Sequence, residues 1–273
     1  DIKAPEAFEI ETRLKEELNI PIMHDDQHGT AIISSAALLN ALDIAKKKID
    51  KVKIVVSGAG ASALSCVKLY RSLGVKLQNI FMYDSKGLIW KGREGLDKMK
   101  APYAVHKSDI DFRDAFKKAD VFLGLSRAGL VSKDMVADMA KNPIVFALAN
   151  PEPEISYKQA TAARKDIIMA TGRSDHPNQV NNVLGFPFIF RGALDVRATT
   201  INEEMKLAAV HAIAELAKET IPEEVIEAYG EKSISFGKEQ IIPKPLDPRL
   251  IYKVAPAVAK AAMESNVAKE PIT

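Results

Sequence analysis

Short apolar runs dense in β-branched residues recur along the middle of this 273-residue chain: Val52 with Ile54, Val55 and Val56; Ile80 to Tyr83; Asp120 to Leu125; Pro143 to Ala149; and Ile167 to Ala170. Runs that are apolar at successive positions predict strands buried on both faces. Between them the apolar residues fall at helical spacing, in Leu64 to Leu73, Asp111 to Ala119, Lys133 to Ala140 and Tyr157 to Arg164. Strand–helix alternation with short connections predicts an α/β fold, a Rossmann-like doubly wound parallel sheet with flanking helices.

The pattern changes on either side. Residues 4–18 predict an amphipathic helix with Phe8, Ile10, Leu14 and Leu18 on its apolar stripe and Pro5 in its first turn. An extended run, Ile20 to Met23, leads to His24-Asp25-Asp26-Gln27-His28 and then to a helix from Ala31 to about Ala45, rich in small residues. Beyond the strands, 184–194 is a buried apolar stretch, Ile201 to Glu219 a long helix and 239–245 an extended link. Asp247 and Pro248 predict the N-cap and first position of a last helix that runs to about Ser265, with a kink at Pro256. The expected division is 1–45, a helical segment linking to a further catalytic domain, and 46–273, the sheet with its C-terminal helices.

Residues 58–63 carry the most specific chemistry. Gly58-Ala59-Gly60-Ala61-Ser62-Ala63 reads G-x-G-x-x-A between a predicted strand and a predicted helix, the context a dinucleotide loop requires. Gly58 permits the tight turn, Gly60 lets backbone approach a pyrophosphate, and Ala63 lets helix pack on strand. The helix start then offers free N–H groups and a positive dipole end. Asp84, at the end of the second strand, is placed to accept a ribose hydroxyl.

Composition narrows the classes. A net charge of +2 without a basic run gives no case for nucleic acid, and no apolar stretch approaches the ~20 residues of a membrane span. The single Cys66 rules out a disulfide within the chain, reads as core filler and fits a cytoplasmic protein. No signal peptide is visible, and a chain that begins Asp-Ile-Lys is expected to be part of a longer one.

Polar residues at predicted strand ends are the remaining candidates. Asp25 and Asp26 are adjacent acids that form either a hard-metal or acid–base site, suited to Mg²⁺ or Mn²⁺, or a solvated turn capping the next helix. Asn150, before Pro151, presents an amide to cofactor or substrate or merely makes a turn. Asn181 and Asn182 suit a carboxylate or hydroxyl, with turn chemistry as the alternative. Lys86, Lys91 and Arg93 follow Asp84 and either neutralise a 2′-phosphate or line a solvated loop.

At HDDQHGTA, GAGASA and NPEPEI together the chain resembles the malic enzymes, and more narrowly the bacterial hybrid type that carries a phosphotransacetylase-like domain. The resemblance runs along essentially the whole chain. It implies oxidative decarboxylation of L-malate to pyruvate and CO₂ with NAD(P)⁺ and a divalent cation. By the same resemblance Asp1 and Asp26 are metal ligands, Asp25 orients the catalytic lysine, and Asn150, Asn181 and Asn182 bind substrate, with Asn150 also on the cofactor. Ala59 to Ser62 match the family's dinucleotide loop. The family's catalytic tyrosine and lysine lie before the residue equivalent to Asp1, so this chain by itself is expected to bind nucleotide without turnover.

Cofactor choice has two sides. Asp84 favours NAD⁺, whereas the hybrid subtype and the nearby cations favour NADP⁺, which is the expectation adopted. A homo-oligomer and regulation by acetyl-CoA through an appended C-terminal domain are further implications of the resemblance. Two alternatives stand beside it: another two-domain dehydrogenase, which needs no cation, and a nucleotide-binding regulatory module without chemistry.

Overall fold

A computed structural model describes residues 6–106 and 110–272, so Asp1 and Pro5 lie outside the described residues. In chain order the elements are α1 (Glu6–Glu17), α2 (Asp25–Ala45), β1 (Ile54–Ser57), α3 (Ala61–Ser72), β2 (Ile80–Asp84), β3 (Gly87–Leu88), α4 (Phe112–Ala115) and β4 (Val121–Gly124). There follow α5 (Lys133–Ala137), β5 (Ile144–Ala147), α6 (Tyr157–Ala163), β6 (Ile168–Thr171), α7 (Phe186–Asp195), α8 (Glu203–Lys218), α9 (Glu223–Ala228) and α10 (Arg249–Glu264). Two units emerge, one of residues 41–180 and one that joins residues 1–40 to 181–273. The expected boundary after residue 45 differs from this, because the C-terminal helices group with the N-terminal residues.

In the unit of residues 41–180 the strands run in the order β3-β2-β1-β4-β5-β6. All neighbours are parallel except β3, which turns back on β2 through Gly87 at φ 101°. The order reverses between β1 and β4, and in such sheets the crevice beyond that reversal receives ligands. Every residue of β1, β4, β5 and β6 is buried, as the continuous apolar runs require. On one face Val55, Phe81, Phe122, Val145 and Met169 pack with Phe116 and Met135.

Helices α4, α5 and α6 are shorter than their apolar spacing suggested, while α3 starts three residues earlier than expected. Asp111 caps α4 by accepting the Arg113 N–H, and the chain leaves helical geometry by Lys118, at φ 57°. Ser132 caps α5 and Ser156 caps α6, each accepting the N–H three residues on.

In the other unit α2 starts at Asp25, six residues earlier than expected. The His24 carbonyl accepts the His28 N–H at 3.1 Å, and two acids in the first turn suit the positive end of the helix. Helix α7 lies where only a buried apolar stretch was expected, and α9 was not foreseen. Pro248, not Asp247, is the N-cap of α10: Asp247 is buried one residue earlier, where it accepts the Arg249 N–H and pairs with its guanidinium at 2.7 Å. Asn40, fully buried, donates to the carbonyls of Ala214 and Ile241, both at 2.8 Å, and so ties α2 to α8 and to the link before α10.

Helix α10 packs on α7 and α8, and Gly192 sets the approach of α7. A Cβ at Gly192 would meet the Ala255 carbonyl oxygen inside normal contact. Alanine gains roughly 1 kcal/mol of helix propensity over glycine, whereas forcing two packed helices apart costs about 1–3 kcal/mol. Gly192→Ala is therefore expected to lower stability, read as a lower urea midpoint at unchanged slope.

Candidate functional site

At the carboxyl ends of β1, β2 and β4 lies a cavity of about 750 Å³, lined by Ser57 to Gly60, Tyr83 to Ser85, Gly87, Lys100, Phe112, Ser126, Arg127 and Leu130. Gly58 turns the chain out of β1 at φ 108°, and a Cβ there would lie 2.5 Å from the Leu125 carbonyl oxygen. Conformation and space both demand glycine at that position. Gly60 is different: nothing lies within 4 Å of where its Cβ would be, so it faces open space. It is the N-cap of α3, and no side chain caps that helix. Two residues on, the buried Ser62 hydroxyl has no partner among the described residues. Free helix N–H groups, an orphaned hydroxyl and space at Gly60 fit a phosphate group.

Asp84 closes one side of the cavity, and its carboxylate is already engaged. Arg93 grips it in two bonds of 2.7 and 2.9 Å, Lys100 adds one of 2.8 Å, and the Lys86 N–H another of 2.9 Å. Partial burial would raise this carboxyl, but the Arg93 and Lys100 bonds outweigh it and hold the group well below the usual carboxylate range. The three charged groups sum to about +1. Of the three cations expected near Asp84, only Arg93 brings its charge to it: Lys86 contributes its backbone, and the Lys91 ammonium lies 3.1 Å from His106.

On the β4 side, the Ser57 and Ser126 hydroxyls share a hydrogen bond of 2.6 Å. Beneath them Glu154 is fully buried and accepts the N–H groups of Ser126 at 2.9 Å and Ala149 at 3.1 Å. Burial raises its carboxyl, and those two backbone bonds oppose the rise. The carboxyl group fills the space that a Cβ at Gly124 would occupy. One side chain thus joins the exits of β4 and β5. Asn150, at the β5 exit, is exposed and lies over Gly172, whose Cβ would sit 3.1 Å from the Asn150 oxygen.

The unit of residues 1–40 and 181–273 holds the acidic start of α2. Asp25 accepts from the Asn182 amide at 3.0 Å, and Asn182 in turn accepts from the Thr30 hydroxyl at 3.2 Å. Gly29 makes room for this: a Cβ there would lie 2.6 Å from the Asn182 side chain. The other Asp25 oxygen is buried without a partner among the described residues. Burial raises the Asp25 carboxyl, the Asn182 bond opposes this, and neighbouring Asp26 adds to it. Asn181 caps its own turn through the Val183 N–H. No three of His, Cys, Asp and Glu converge on a metal position among the described residues. His28 links Glu11 on α1, through Nε2 at 2.9 Å, to Lys206 on α8, through Nδ1 at 3.2 Å. Burial lowers the imidazole, so Nε2–H donates to Glu11 and the neutral Nδ1 accepts from Lys206.

The family model described as "Malic enzyme, NAD binding domain" matches residues 27–228. The chain belongs to the malic enzyme family. It is 59% identical to the NADP-dependent malic enzyme of Haemophilus influenzae, covering 100% of this chain and 36% of that one. It is 56% identical to a NAD-dependent malic enzyme of Rhizobium meliloti, again over 100% and 36%. The crystal structure of Entamoeba histolytica malic enzyme superposes with a TM-score of 0.88 at 38% identity, covering 99% of this chain and 55% of that one. The chain thus spans little more than a third of the length of these two curated relatives.

Within this malic enzyme chain, the structure gathers Gly58, Ala59, Gly60 and Asp84 at one cavity and puts Ala61, Ser62 and Ala63 in the first turn of α3. It brings Asp25 and Asn182 together, and Asp26 follows in the same turn, exposed. Asp1 lies outside the described residues. Lys100, Arg127 and Glu11 were not singled out in the sequence, and Glu154 and Gly29 were visible only as members of the NPEPEI and HDDQHGTA motifs, without roles of their own. Lys100 and Arg127 sit in loops without periodicity.

A carboxylate whose folded pKa is depressed stabilises the native state above its unfolded value, and that contribution fades as pH falls through the folded value. Asp84→Asn is therefore expected to lower stability at pH 7, with the difference from wild type shrinking toward about pH 2, in urea unfolding repeated across pH. Gly58→Ala, which forbids the loop's conformation, is expected to cost roughly 1–3 kcal/mol in the same measurement and to abolish nucleotide binding.

Proposed function

We propose that this chain is the nucleotide-holding part of a malic enzyme that oxidatively decarboxylates L-malate to pyruvate and CO₂ with NADP⁺ and Mg²⁺ or Mn²⁺. The supporting observation is the cavity at the exits of β1, β2 and β4, with open space at Gly60 and the unpartnered Ser62 hydroxyl behind it. When bound, NADP⁺ would supply the acceptor for a hydride from C2 of malate, and the cation would supply Lewis-acid polarisation of the C2 oxygen. The chain's own residues bind and orient. Gly58 to Ala63 receive the pyrophosphate with backbone N–H groups and the Ser62 hydroxyl. Asn150 supplies an exposed amide at a strand exit. Asp26, with Asp1, would hold the cation, and the spare Asp25 oxygen accepts from a cationic catalytic side chain. Asn182 fixes the Asp25 carboxylate and Asn181 shapes the turn beside it.

The state of Asp84 supports NADP⁺ over NAD⁺. A ribose diol needs free carboxylate acceptors, and Arg93 and Lys100 already occupy them. The cluster's net positive charge suits a 2′-phosphate, and Lys100 lines the cavity. A charge-assisted hydrogen bond is worth about 1.5–3 kcal/mol. Lys100→Gln is expected to weaken NADP⁺ binding roughly ten- to a hundredfold with NAD⁺ affinity little changed, by calorimetric titration. Tighter binding of NAD⁺ than NADP⁺ by the wild-type protein contradicts the assignment. Malate-dependent reduction of NADP⁺ by the full-length protein, lost in Asp26→Asn and dependent on added Mg²⁺ or Mn²⁺, tests the reaction itself.

A further inference from the structure

Arg127 stands apart from the other cations around the cavity. Arg93 and Lys100 are paired with Asp84, and elsewhere Arg164, Arg173 and Arg249 each pair with an aspartate. Arg127 lines the cavity, is exposed, and has no hydrogen-bond or ion-pair partner among the described residues.

Its place in the sheet says which part of a ligand it would meet. It follows Ser126, whose hydroxyl is bonded to Ser57 at the head of the glycine loop. The Leu125 N–H donates to the Ser57 carbonyl at 2.8 Å, and the Leu125 carbonyl is what excludes a side chain at Gly58. The β4 exit is thus clamped to the loop of the phosphate site. Asp84 and Lys100 lie on the β2 side of β1, and Arg127 on the β4 side. A dinucleotide crossing from β2 to β4 over Gly60 puts its 2′-substituted adenosine at Lys100. Its pyrophosphate then lies between Gly60 and Arg127.

We infer that Arg127 is a cofactor-binding residue that pairs with the pyrophosphate of the dinucleotide from the β4 side, opposite the helix N-terminus. The assignment rests on the nucleotide-binding role proposed above. A guanidinium forks onto two phosphate oxygens, and its charge offsets anionic groups that backbone N–H groups alone leave uncompensated. The demand on Arg127 is the same for NAD⁺ and NADP⁺, which share the pyrophosphate, and this separates it from Lys100.

The test is calorimetric titration of the full-length protein and its Arg127→Gln and Arg127→Lys variants with NADP⁺, NAD⁺ and 2′-AMP, which lacks the pyrophosphate. Arg127→Gln is expected to weaken NADP⁺ and NAD⁺ by the same factor, roughly ten- to a hundredfold, while 2′-AMP binds as to wild type. Arg127→Lys should recover part of the loss, and the melting temperature should not move, because the side chain holds nothing in the native chain. Unchanged dinucleotide affinity in Arg127→Gln overturns the inference. So does a loss confined to NADP⁺, or an equal loss for all three ligands accompanied by a lower melting temperature. If the wild-type protein binds neither dinucleotide, the nucleotide-binding role fails and this inference with it.

Discussion

The closeness of two strand exits governs the nucleotide side of this protein. Gly58 leaves β1 in a left-handed conformation with its α-carbon against the Leu125 carbonyl, and its N–H donates to the Tyr83 carbonyl at 2.8 Å. It is held at once by the strand on its left and the strand on its right. That double tether sets the direction in which α3 begins, and so the direction in which its unpaired N–H groups point. Each glycine of the loop has its own job: Gly58 yields space to protein, and Gly60 yields it to solvent or ligand.

Carboxylates in this chain do three different things, and their surroundings decide which. Asp84 is neutralised by two cations and ends as part of a positive patch. Glu154 is buried, satisfied by backbone N–H groups, and acts as a brace between loops. Asp25 keeps one buried oxygen without a partner among the described residues while Asn182 holds the other. In the unit that holds Asp25, Glu11 stays ionised although burial would raise it, because His28 and Lys15 both donate to it. Glu11 also accepts the His24 N–H at 3.1 Å, and with the link from Lys206 through His28 it holds the turn on which Asp25 and Asp26 sit.

Much of the sheet was legible in the sequence, because strands buried on both faces must be apolar at every position; the apolar run that became α7 shows that such a run alone does not separate strand from buried helix. Gly58 was legible for a related reason, since a turn with no room for a Cβ leaves a mark in residue type, whereas Gly60 was legible only from its place in the G-x-G-x-x-A pattern. Helix ends were less so. Lys118 in a left-handed conformation gave no warning that α4 would stop early, and Asp247 looked like a cap but was drawn into the interior by Arg249. The pairing of Asp84 with two cations was invisible for a deeper reason. Whether an acid at a strand end accepts hydroxyls or is itself consumed depends on Arg93 and on Lys100, sixteen residues downstream, and no local spacing encodes that meeting.

Gly124 and Glu154 occupy one volume between them, since the acid's carboxyl group stands where the strand residue would otherwise have a side chain. Neither can drift by itself in evolution. A larger residue on the strand evicts the acid, and a smaller residue in place of the acid opens a hole and strands two amide hydrogens in the dark. Among relatives these two positions should therefore change in concert or not at all, so their joint inheritance is a record of the loop's shape that can be read without any knowledge of the chemistry above it.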